Sequence, residues 1–120
     1  MAIRKVLVVD DAKADLANLE KIVSGAGYLV TTATSGAQAI EKAKADRPDA
    51  ILMDVNMDNV DGFKAARTMQ SMPETKSIPV IFVTSKDQKA DKVWAQMLGA
   101  KALVTKPYTS AQILEQLQAL

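Results

Sequence analysis

Asp54 ends the apolar run Ala50-Ile51-Leu52-Met53, and the chemistry legible in this chain begins there. Four apolar residues between Asp49 and Asp54 are too few for a helix and suit a short strand covered on both faces. In an open parallel α/β sheet, ligands sit outside the carboxyl ends of the strands. Three more apolar runs stop at side chains with chemical potential. Val6-Leu7-Val8-Val9 ends in Asp10-Asp11, Pro79-Val80-Ile81-Phe82-Val83 in Thr84, and Ala102-Leu103-Val104-Thr105 in Lys106. Singly these are ordinary residues: a turn or cap aspartate, a β-forming threonine, a solvated lysine. Placed at the same end of neighbouring strands, they converge on one rim.

Charge dictates what such a rim can do. Asp10, Asp11 and Asp54 repel one another when brought together, so the cluster wants a cation. The chain has no cysteine and no histidine, which removes disulfides, thiolate and imidazole ligands and imidazole catalysis. The expected ion is therefore hard and oxygen-bound: magnesium, or manganese in its place. A carboxylate can attack phosphorus and form an aspartyl phosphate, and Asp54 is the expected nucleophile. Three carboxylates, one lysine and one divalent cation cancel in formal charge. A phosphoryl group of about −2 then draws donors toward it, and the Lys106 ammonium and Thr84 hydroxyl are the expected ones.

The rest of the sequence reads as the frame for that rim. A first strand over Ile3–Val9 leads to a helix over about Lys13–Gly25, with Leu16, Leu19, Val23 and Ala26 at helical spacing. Tyr28–Ala33 is a more polar, edge-type strand. Ser35 with Gln38 three residues on is a capping-box start for a helix whose expected inner face is Ala37, Ile40 and Ala43. Arg47-Pro48-Asp49 stops it. After the central strand and an acidic loop, a helix over about Gly62–Met72 carries Phe63, Ala66 and Met69. A further helix over about Asp87–Leu98 is expected to turn Ala90, Val93, Trp94, Met97 and Leu98 inward, with Gly99 as its cap. Thr109 and Gln112 open a final helix with Ile113, Leu114, Leu117 and Leu120 inward. Five strands alternating with five helices require a parallel sheet with helices on both faces, in one domain spanning 1–120.

Composition bounds the function. With 120 residues, 48% hydrophobic and 24% charged, the chain holds one ordinary core. A net charge of +1 offers no basic field for nucleic acid. No apolar run approaches a membrane span, and Asp10 ends the first apolar run too early for a signal peptide. A cytoplasmic protein without membrane insertion is expected.

Val8-Val9-Asp10-Asp11, Met53-Asp54 with Met57 and Gly62 downstream, Thr84-Ser85 and Lys106-Pro107 together resemble the receiver domains of two-component response regulators, over the full length. The likeness is to stand-alone chemotaxis receivers. The stretches Thr84–Gln88, Asp91–Trp94 and Gly99-Ala100 look like receivers of type IV pilus twitching-motility pathways. The resemblance implies a flavodoxin-like, doubly wound five-stranded parallel sheet in the order 2-1-3-4-5. It makes Asp54 the phosphoacceptor and Asp10, Asp11, Asp54 and the backbone carbonyl of Asn56 the magnesium ligands. Thr84 and Lys106 then bind the phosphoryl group, and the Lys106–Pro107 peptide is cis. It also implies a histidine kinase as phosphodonor and a domain that is phosphorylated and dephosphorylated on itself rather than a turnover enzyme. Two positions depart from the family pattern: Asp58 stands where proline is usual, and Leu103 replaces the aromatic switch residue. Tyr108 is expected as a packed rim residue, and Asn56 and Lys86 occupy positions that tune phosphoryl lifetime in the family.

With no effector domain expected, output would be a changed protein–protein contact on the face of the Asp87–Leu98 helix, the last strand and the final helix. Alternatives are a phosphate sink for a shared kinase, or an aspartate-nucleophile phosphatase. The phosphatase reading is disfavoured because such enzymes place their nucleophile after the first strand with a second aspartate two residues on, whereas here Asp10 and Asp11 are adjacent.

Overall fold

The computed structural model describes residues 3–55, 62–84, 93, 96–97 and 99–120. Five strands, β1 (Lys5–Val9), β2 (Leu29–Ala33), β3 (Ala50–Asp54), β4 (Val80–Thr84) and β5 (Ala102–Thr105), form one sheet in the order β2-β1-β3-β4-β5. Every pairing is parallel. The expected sheet order is thus the observed one, with the polar strand β2 on an edge. Four helices lie among the described residues: α1 (Lys13–Gly25), α2 (Gly36–Asp46), α3 (Gly62–Gln70) and α4 (Ser110–Gln118).

Strand alternation divides the core in two. Val6, Val8, Ala50, Leu52, Ile81, Val83 and Val104 face Leu19 and Val23 of α1 and Ile113 and Leu117 of α4. Leu7, Val9, Ile51, Met53 and Phe82 face Ala39 and Ala43 of α2 and Ala65, Ala66 and Met69 of α3. Because β1, β3 and β4 are covered on both faces, their sequences are continuously apolar rather than alternating. Phe63 and Phe82 meet edge to face, their centroids 4.8 Å apart.

The helix ends follow local chemistry. Thr109 and Gln112 make a complete capping box. At α2 the Ser35 hydroxyl accepts from the Gln38 amide as expected, but the Gln38 side chain turns back to the Thr34 amide and hydroxyl instead of the cap residue. Arg47, in the left-handed region at φ 47°, ends α2. Gly99, at φ 73°, donates to the Gln96 carbonyl, in keeping with its expected capping role.

Some inward assignments differ. Ala26 is exposed because it is the cap after α1 rather than part of its face. Ala37 is exposed and Ala39 takes its place, since α2 begins at Gly36 and its inward stripe runs through Gly36, Ala39 and Ala43. Val93 and Met97 are helical but 47% and 74% exposed, so both look to solvent. Asp87, Ala90, Trp94 and Leu98 of that expected helix lie outside the described residues.

Candidate functional site

The strand ladders continue one residue past the strand ends and fix the site backbone. The Asp10 amide donates to the Ala33 carbonyl at 3.1 Å, Val55 to Val83 at 3.3 Å, and Lys106 to Thr84 at 2.7 Å. Register places Val9 beside Met53 and Asp54 beside Val83. Since all strands run the same way, Asp10, Asp54, Thr84 and Lys106 share the carboxyl rim. Asp10, Asp54 and Lys106 each stand two residues beyond Val8, Leu52 and Val104, which face α1 and α4, so alternation sends them to that side.

The side chains converge as the sequence requires. Carboxylate oxygens of Asp10, Asp11 and Asp54 all lie within 4.8 Å of one another. Asp10 is fully buried and Asp54 nearly so, while Asp11 reaches solvent. Burial of two adjacent carboxylates is unfavourable unless positive charge compensates. Lys106 supplies one such charge. Its Nζ donates to Asp10 Oδ2 and to Asp15 Oδ2, both at 3.0 Å, and stands 3.7 Å from Asp54 Oδ1. The last distance is an ion pair rather than a hydrogen bond. Burial alone would push the Lys106 ammonium down, but the bonds to Asp10 and Asp15 and the nearby Asp54 charge outweigh it and hold it well above the usual lysine range. Asp10 Oδ1 accepts from the Ala12 amide at 2.9 Å, which orients the carboxylate in the turn before α1.

Three carboxylates within coordinating reach, with one lysine beside them, fit a small divalent cation: the donors are all oxygen, and one ligand reaches solvent. Gly62 packs against the backbone of Asp54. A Cβ there would lie 2.2 Å from the Asp54 carbonyl oxygen, so only glycine lets the start of α3 approach this closely. Thr84 is fully buried at the end of β4. Tyr108 is half-buried on the rim; its hydroxyl accepts from the Asn18 side-chain amide at 3.4 Å, and burial pushes its phenol up. Leu103 is part-buried against the α2–α3 side of the core.

Asp10, Asp11, Asp54 and Lys106 are therefore brought together, and Thr84 is on the same rim. Asn56, Met57, Asp58, Ser85 and Lys86 lie outside the described residues. Asp15 is the participant that sequence reasoning missed. Its signal was faint: an acid in the first turn of α1, where the helix dipole alone is reason enough for one.

A five-stranded parallel sheet of this order, bearing three aspartates and a lysine before a cis proline on its carboxyl rim, is the architecture of a phosphorelay receiver. The chain belongs to the response regulator receiver domain family, which matches residues 6–118. It is 36% identical to Protein PilH of Pseudomonas aeruginosa over 116 residues, covering 97% of this chain and 96% of PilH. It is 35% identical to the response regulator PleD of Caulobacter vibrioides over 97% of this chain but only 26% of PleD, so it spans nearly all of one relative and about a quarter of the other. Among solved structures, the chemotaxis protein CheY4 of Vibrio cholerae superposes with a TM-score of 0.92 at 31% identity, covering 98% of both chains. The receiver domain of a sensor histidine kinase from Pseudomonas aeruginosa, solved with a magnesium ion coordinated in its active-site cleft, gives 0.89 at 29% identity over 98% of this chain and 97% of that one. No helix among the described residues is long and apolar enough to cross a membrane.

Proposed function

We propose that Asp54 is the phosphoacceptor of a single receiver domain spanning residues 1–120, loaded from the phosphohistidine of a sensor kinase. The observation that carries this reading is the ion-pair geometry: the Lys106 ammonium stands 3.7 Å from a buried aspartate that shares a coordination cluster with two others. In the transfer, an Asp54 carboxylate oxygen forms a bond to phosphorus as the P–N bond of the donor breaks. The electron pair of that bond stays on the imidazole nitrogen, which takes up a proton. Asp10, Asp11 and Asp54, with the Asn56 carbonyl, are the proposed ligands of a magnesium ion, for which manganese could substitute. When bound, the ion supplies charge neutralisation for the phosphoryl oxygens. Lys106 and Thr84 hold the phosphoryl group after transfer. Water attack at phosphorus later releases inorganic phosphate and restores the carboxylate, so the domain is its own substrate and not a turnover enzyme.

The likeness to PilH along nearly the whole of both chains supports a place in a pilus-related chemotaxis-type pathway. Phosphorylation would then act by biasing a two-state equilibrium that a partner protein reads. The partner's proposed surface is the face of the Asp87–Leu98 segment, β5 and α4. Exposure of Val93 and Met97 supports it. A cytoplasmic setting fits a cysteine-free chain.

Intact-mass measurement tests the reading. Incubation with magnesium and a small acyl-phosphate donor is expected to add one phosphoryl group to the wild type and none to Asp54→Asn. Equal gain in both removes the assignment. For the output face, more protein is expected to be captured on the beryllofluoride-treated form than on the untreated form, and Val93→Glu with Met97→Glu is expected to abolish the difference.

A further inference from the structure

We infer that Asp15 is a positioning residue that restrains Lys106 in the unphosphorylated protein and competes with the phosphoryl group for its ammonium. The inference rests on the proposed role of Asp54 and Lys106. Lysine carries three N–H donors. Two are used on Asp10 and Asp15 at 3.0 Å, and Asp54 is left at 3.7 Å, beyond hydrogen-bond reach. The two bonded carboxylates are not equivalent. Asp10 is fully buried, its other oxygen is taken by the Ala12 amide, and it belongs to the three-aspartate cluster. Asp15 belongs to no such cluster among the described residues, is 49% exposed, and hangs from the first turn of α1. It is the tether that the site can lose without losing a member of that cluster.

The space around the tether fits the same role. Asp15, Asn18, Lys106, Pro107 and Tyr108 line a shallow hollow of about 370 Å3 on the flank of the site. Lys106 lines this hollow, and its ammonium also stands 3.7 Å from Asp54 Oδ1. A phosphoryl group on Asp54 brings three strong acceptor oxygens and about two negative charges. Drawing the ammonium to them lengthens the Asp15 bond. Among the described residues, Asp15 adds a further carboxylate beside the three-aspartate cluster and its lysine, so it opposes the incoming anion directly. Asp15 thus sets how readily the anionic state is reached, without touching the reacting atoms.

Beryllofluoride, a phosphoryl mimic, provides the probe, read by fluorine NMR titration at saturating magnesium. Asp15→Asn keeps the shape and removes the charge, and is expected to bind beryllofluoride about three- to fivefold more tightly than wild type, the scale of a half-exposed ion pair. Asp15→Glu is expected to bind as wild type does. In a Lys106→Ala background, the Asp15→Asn gain is expected to shrink to the residual from direct repulsion, less than half its size. Unchanged or weaker binding by Asp15→Asn overturns the inference, as does a gain of full size in the absence of Lys106. A wild type that does not bind beryllofluoride, or an Asp54→Asn that binds it equally, overturns the reading of Asp54 and the inference with it. Normal wild-type binding with no Asp15 effect overturns the inference alone.

Discussion

Replacing Gly62 with alanine is expected to damage both fold and site, and the geometry sets the scale. The added Cβ would sit 2.2 Å from the Asp54 carbonyl oxygen and 3.0 Å from its carbon and from Met53 Cγ, against ordinary contacts of 3.4–4 Å. Two of the three obstacles are backbone atoms, so either the start of α3 or the end of β3 must move by more than 1 Å. Overpacking of this kind costs about 1–3 kcal/mol, and the interior helix propensity of alanine offsets little of it at the first residue of α3. A loss of about 2 kcal/mol lowers the melting temperature of a domain this size by roughly 8 °C. Because the displaced atoms belong to the proposed nucleophile, a tenfold or greater fall in phosphorylation rate should accompany it, as misplacements of about 1 Å can cost up to about a hundredfold. Gly25→Ala is the control: nothing lies within 4 Å of its Cβ position, and it should melt at or slightly above the wild type. Thermal melting and the rate of mass gain from an acyl phosphate measure both effects. The reasoning is refuted if Gly62→Ala matches wild type in both, or if Gly25→Ala loses as much.

Magnesium at about one hundred times its dissociation constant should stabilise the wild type by about 2.7 kcal/mol, and Asp11→Ala should lose most of the resulting melting shift; an undiminished shift contradicts a ligand role for Asp11. Asp49 Oδ2 accepts from the Arg4 and Lys5 amides at 2.9 and 3.0 Å, and these bonds hold its carboxyl below the usual range. The unfolded chain therefore binds more protons there, so this contribution is present above about pH 4 and fades as pH falls through the lower folded value; Asp49→Asn should flatten that part of the acid-unfolding profile. Lys106 shifts the other way, so its contribution is whole below about pH 10 and is lost as pH rises through its raised folded value. Lys106→Met should accordingly lose stability at pH 7 but show a shallower alkaline decline than wild type.

The sheet was legible because its central strands carry short, unbroken apolar runs, Val6–Val9, Ala50–Met53 and Val80–Val83, a pattern that burial on both faces explains. The rim was legible for the same reason: parallel strands put their carboxyl ends together, so Asp10, Asp54, Thr84 and Lys106 could be placed without knowing a single distance. Helix faces were read less well. Helix α2 starts where its Ser35 cap predicted, yet Ala39 rather than Ala37 faces inward, because alanine marks an inward and an outward position equally. Apolar spacing counted Val93 and Met97 as inward, yet both are exposed; spacing records which residues share a stripe, not whether the protein covers it. Asp15 escaped notice because its role comes from a contact across 91 residues of sequence, and nothing local separates it from an acid placed for the helix dipole.

The central claim is that the phosphoryl group goes to Asp54, and locating it on the chain is the most direct measurement. Borohydride reduction of the phosphorylated protein converts an acyl phosphate to an alcohol, which peptide mass spectrometry assigns to a residue. The account predicts the reduced site at Asp54, with none at Asp10, Asp11 or Asp15. Reduction at one of those three instead, with Asp54 unmodified, would contradict it.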